Sequence, residues 1–109
     1  MDYRALHHRA HAAGVAAGEG HTPRPMHIMG YEIADGVCGF AWVTVRPGTD
    51  PFARWLRTNA GTHRGYHGGE ELWVSGFGQS YERKMAFARA YAKTLGEAGI
   101  SAHAGGRLD

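Results

Sequence analysis

Cysteine is nearly absent from this 109-residue chain, with Cys38 the only one. An intramolecular disulfide and a thiolate zinc site built from one chain are thereby excluded, and a reducing compartment is expected. No apolar run approaches the roughly 18 residues of a membrane span. The N-terminal "MDYRALHHRAHAAG" lacks the apolar centre of a secretory signal. The expectation is a soluble, cytoplasmic protein with no membrane partner. Also missing is any acid, base and nucleophile at recognisable spacing, which ranks a small enzyme last among the functional readings and names no catalytic residue. "GFGQS" has one Gly-x-Gly step but neither the third glycine of a dinucleotide fingerprint nor the lysine of a phosphate loop. No cofactor is expected.

What the chain does have is ordinary globular composition, 43% hydrophobic and 20% charged, enough for one core and too short for two. The reading is a single domain over 1–109, with a variable N-terminal helix and connection at 1–25 and a sheet-and-helix body at 27–109. Its 17 glycines cluster at 61–78 and 96–106, where tight turns or close backbone approaches need them. The net charge of +2 is mild, but 46–67 hold Arg46, Arg54, Arg57 and Arg64 against Asp50, with His63 and His67 beside them.

Periodicity supplies the elements. Tyr3, Leu6, Ala10, Ala13 and Ala17 form one narrow face of a helix over 2–17, small enough for close packing. His7 and His11 stand one turn apart with His8 between them, but no metal-binding pattern follows, so they read as a solvated face with no metal. After the breaker-rich "GEGHTPRP", "HIMGYEI" at 27–33 and "GVCGFAWVTV" at 36–45 read as two strands joined through Ala34 and Asp35. In the second, Val37, Ala41, Val43 and Val45 face one way and Cys38, Phe40 and Trp42 the other, so both faces read as buried. Trp42, Trp55, Trp73 and Cys38 are accordingly assigned to packing.

Asp50 and Pro51 open a helix whose apolar face is Phe52, Trp55 and Leu56, and Gly61 stops it. The loop "THRGYHGG" leads to a short strand in "ELWVSGF". Ser80 caps a periodic helix over 81–98, Gly99 and Ile100 end it, and "ISAHAG" is a last strand. The order is α-β-β-α-β-α-β. From residue 37 the alternation predicts parallel strands with right-handed crossovers, an α/β (or α+β) two-layer domain with a largely parallel sheet.

In such a sheet the strand ends share one edge, where ligands collect. Arg46, Thr49, Gly78, Gln79, Ser80 and Arg107 would then line one concave patch beside the helix starts, whose free amides suit a phosphate or carboxylate. The competing reading of "SGFGQS" is a tight turn with an ordinary cap. Arg57, His63, Arg64, Tyr66 and His67 form a flexible, basic, aromatic stretch able to meet phosphates and stack on a base. It reads equally as a solvated loop.

From Gly36 onward, "GVCGFAWVTVRPG", "FARWL", "YHGGEELWVSGFGQS", "ERK", "LGEAGISA" and the terminal "RLD" together resemble a small family of short proteins of phages and other mobile elements, notably in actinobacterial hosts. The resemblance covers about residues 36–109, with a shorter connection before it. It implies a mobile-element setting and no catalytic assignment. The first functional expectation is a non-catalytic accessory protein that binds a phosphate-bearing partner, nucleic acid or nucleotide. The alternative is a protein-interaction module acting on a host factor, with the N-terminal helix as docking face or homodimer seam.

Overall fold

Local chemistry sets most element ends. The Asp50 carboxylate accepts a hydrogen bond from the Phe52 amide at 2.8 Å, with Pro51 at the first helical position. Ser80 Oγ accepts from the Arg83 amide at 3.2 Å. The Ile100 amide reaches back over Gly99 to the Leu95 carbonyl at 3.0 Å and closes a helix end. The computed structural model describes residues 1–109. Its elements are α1 (Tyr3–Gly20), β1 (Met26–Ile28), β2 (Tyr31–Ile33), β3 (Gly39–Val45), α2 (Pro51–Asn59), β4 (His63–Arg64), β5 (Glu70–Trp73), α3 (Tyr81–Glu97) and β6 (Ala102–Leu108). None of the helices is long and apolar enough to cross a membrane.

The sheet is antiparallel, which overturns the largely parallel sheet expected from residue 37 onward. Its order is β4-β5-β3-β6, and every neighbouring pair is antiparallel. Val45 pairs with both Glu70 and Ala102, so β5 and β6 each begin where β3 ends. The reason lies in what the helices connect. The nine-residue α2 leaves and returns at the same end of the sheet, because the glycine-rich 60–69 stretch brings the chain back and β4 folds onto β5. α2 is thus part of a long hairpin connection and not a crossover. Only α3 traverses the sheet, and it sets β6 parallel to β5 with β3 lying between them. The result is a mixed α+β arrangement with three helices and two antiparallel sheets.

The second sheet is a further correction. Residues 27–33 are not one strand but the hairpin β1-β2, turned by Met29 at φ +51° and Gly30 at φ +84°. Both central residues are left-handed, as a two-residue hairpin turn requires, and a methionine there hides the usual Asn-Gly signal.

One face of the larger sheet carries the core. Ala41, Val43 and Val45 of β3 meet Met85, Ala88, Tyr91, Ala92 and Leu95 of α3, and Leu6 and Ala10 of α1 and Phe52 and Leu56 of α2 complete it. α1 packs along α3. Gly14 allows this close approach, since a Cβ there would lie 2.7 Å from the Phe87 ring. The thinnest dimension is 19 Å, about one helix layer on one sheet layer. The opposite face of the sheet has no helix over it. Trp42 and Trp73 lie on that outer face, half-buried and 38% exposed respectively, so the expected burial on both faces of β3 does not occur. Cys38 falls just outside β3 and is half-buried.

Candidate functional site

α2 buries Phe52 and Leu56, and this turns Arg54 and Arg57 toward solvent on one flank. They face the segment that leaves β3 and the β4-β5 hairpin. The cleft between these parts has a volume of about 450 Å³ and is lined by Arg54, Arg57, Arg64, Thr49, Pro47, Gly48, Gly68 and Gly69. The Arg46 guanidinium donates to the His67 carbonyl at 3.2 Å and ties the hairpin loop to the end of β3.

One of the cleft arginines is neutralised. Arg57 forks onto Glu70, Nη2 to Oε1 at 2.6 Å and Nε to Oε2 at 3.2 Å, and Thr62 donates to Oε2 at 2.7 Å. Burial alone would raise the Glu70 carboxyl. The hydrogen bonds from Arg57 and Thr62 and the charges of Arg57 and His63 outweigh it and hold the group below its ordinary value. Glu70 is 1% exposed, so its charge serves Arg57 and the fold. Arg54 and Arg64 have no carboxylate within ion-pair distance. Their charge is available to a ligand.

The outer face of the sheet begins at the same end. Alternation along β3 places Phe40, Trp42, Thr44 and then Arg46 on it. Trp42 stacks on Trp73 with ring centroids 4.8 Å apart, and Phe40 lies 6.0 Å from Trp73. His63 of β4 stacks on the far side of Trp73 at 6.4 Å and sits 3.5 Å from Glu71, whose carboxylate accepts from Trp73 Nε1 at 3.0 Å. Gly105 of β6, opposite Trp42, has no side chain for a reason: a Cβ there would lie 2.7 Å from the indole nitrogen.

No family model, curated protein or solved structure matches this chain. The residues singled out in the sequence divide between the two ends of the sheet. Arg46, Thr49, Arg57, Arg64 and His67 gather at the cleft end. His63 is on the outer face beside Trp73, and Tyr66 is 96% exposed at the hairpin loop. Gly78, Gln79, Ser80 and Arg107 lie at the other end, where Ser80 bridges to Cys38 and Arg107 pairs with Phe40. The expected single patch of Arg46, Gln79, Ser80 and Arg107 is therefore divided, because antiparallel strands send their ends in opposite directions. "SGFGQS" forms a tight turn with Gly76, Phe77 and Gly78 all at positive φ, and Ser80 is buried as the cap of α3.

His7 departs from the solvated face expected for it. Its Nδ1 is hydrogen-bonded to the Tyr91 hydroxyl at 2.7 Å, and it packs on Trp55. Burial, helped by the charges of His11, His8 and Arg4, lowers its pKa, and burial raises that of Tyr91. The pair has no carboxylate beside it and serves to join α1 to α3. The features missed in the sequence are the place of Arg54 on the cleft wall and the Phe40, Trp42 and Trp73 face. The signal for that face was the alternation that ends on Arg46, which an apolar reading of Phe40 and Trp42 obscures.

Proposed function

We propose that this chain is a non-catalytic accessory protein of a phage or mobile element that binds a phosphate-bearing partner, nucleic acid or nucleotide, at the Arg54/Arg64 cleft. One observation carries the reading: two guanidinium groups without acidic partners, Arg54 and Arg64, line one cleft together with Thr49 and glycine backbone. Guanidinium groups match phosphate oxygens in pairs of parallel hydrogen bonds, and the glycines beside them let a ligand approach the backbone closely. Arg57, held by Glu70, fixes the wall on which Arg54 stands.

The test is calorimetric titration of the full chain with inorganic pyrophosphate, a nucleoside triphosphate and a polynucleotide, for the wild type and for Arg54→Ala/Arg64→Ala. The double variant is expected to lose about tenfold or more in affinity for each ligand that binds, with an unchanged melting temperature, since exposed charges contribute little to stability. For a polynucleotide the salt dependence is expected to flatten, because each lost contact releases fewer counterions. Equal affinity in the double variant would end this reading. A host-protein interaction is the second reading, favoured by the exposed Ile28, Met29 and Tyr31 of the β1-β2 hairpin.

A further inference from the structure

Resting on the phosphate-partner reading, we propose that the outer face of the sheet is a base-stacking platform and that the partner is a single-stranded nucleic acid. Three aromatic rings, Phe40, Trp42 and Trp73, form a continuous patch on a face that no helix covers. Buried tryptophans of a core would be enclosed. These are half-exposed, and Gly105 of β6 leaves room for the Trp42 indole beside it.

The surroundings of the patch specify the occupant. Arg107 sits 5.3 Å over the Phe40 ring at one end, and Arg46 ends the same row at the other. His63 and His103 border it on the two flanking strands, His103 exposed and paired with Thr44. The carboxylates on this face are Glu71, engaged by Trp73 Nε1 and His63, and Asp109 at the end of the chain beyond Arg107. Aromatic rings in the middle with cations at both ends match bases flanked by phosphates, and stacking on such rings is tolerant of sequence. A flat protein apolar surface would not call for cations at each end. A duplex keeps its bases stacked internally, so only a single strand can offer them to a sheet of this kind. Arg107 stands over Phe40 and Trp73 lies between Trp42 and His63, so the exposed parts of the two indoles leave room for about one or two bases. Arg46 and the β4-β5 hairpin join it to the cleft, so a strand crossing the rings would reach the free guanidinium groups at its end.

The experiment is a fluorescence titration of the full chain with oligouridylate and oligothymidylate of about ten nucleotides, with a duplex of equal length as control. Inorganic pyrophosphate reports the cleft separately. Quenching of tryptophan emission by both single strands, and weaker binding of the duplex, is expected. Trp73→Leu is expected to cost about tenfold or more in oligonucleotide affinity, while Trp73→Phe, which keeps a ring, retains most of it. Both variants should bind pyrophosphate as the wild type does and keep its circular dichroism. Unchanged oligonucleotide affinity in Trp73→Leu, duplex binding as tight as single-strand binding, or no oligonucleotide binding at all would overturn the platform. If Arg54→Ala/Arg64→Ala leaves oligonucleotide and pyrophosphate binding intact while Trp73→Leu abolishes the former, the cleft reading fails and the platform stands.

Discussion

At the scale of single residues, Glu70 shows how one buried carboxylate organises a surface of the opposite charge. It is enclosed, yet it accepts from Arg57 and Thr62 and stays ionised. A carboxyl held below its ordinary value of 4.5 in the folded state contributes stability that is complete above that value and is lost as pH falls through the lower folded value. Glu70→Gln should therefore lower the urea midpoint at pH 7, and the gap to the wild type should narrow as pH falls below 4.5. A gap independent of pH would mean that the Arg57 pair adds nothing beyond packing. Trp42 teaches a different lesson. Its apolar character was plain in the sequence, but apolar character alone does not distinguish a core side chain from a ring on the open face of a sheet. The residue that decides the matter, Gly105, lies on another strand.

Among the elements, those set by neighbouring residues were legible and those set by distant ones were not. Asp50, Ser80 and the Gly99-Ile100 pair each act within one turn of their own helix, so their positions in the chain suffice to place the ends of α2 and α3. Strand direction depends on where a helix delivers the chain. The alternation from Val37 onward is the same whether α2 crosses the sheet or turns back on itself. The candidate patch inherited that ambiguity and was divided with it, whereas Arg57 and Arg64 reached the cleft because they flank one short return. The α1-α3 contact offers a direct test of packing at this level. Gly14→Val should destabilise by about 1–3 kcal/mol, since the added carbons meet the Phe87 ring. Gly96→Ala, with nothing within 4 Å of the added carbon, should be neutral or stabilise by up to about 1 kcal/mol. Thermal melts of the two variants distinguish a tight helix seam from a loose one.

The whole molecule is uneven, 51 Å in its longest dimension and 19 Å in its shortest. The β1-β2 hairpin forms its own two-stranded sheet of three-residue strands with Ile28, Met29 and Tyr31 exposed, while β3 is held on both sides. Short strands with exposed hydrogen bonds open at low cost. In native-state hydrogen exchange the amides of 26–33 should therefore exchange fastest among the strands, and those of Ala41 and Val43 slowest. Protection of the hairpin equal to that of β3 would indicate that it is docked on a surface and not extended from one.

The position of β3 also has a temporal consequence. The central strand is the first of its sheet to leave the ribosome, and Gly39 must wait for Leu108 before its outer partner exists. Until then one long edge of β3, with Phe40 and Trp42 on it, has no neighbour, and such edges invite pairing with other nascent chains. The completed fold is dominated by pairings between remote parts of the chain, which form slowly compared with helices. α1 and α3, whose packing requires no strand order, can meet before the last seven-residue strand arrives. The closing step in assembly is then the addition of β6, the strand whose glycine gives Trp42 its place.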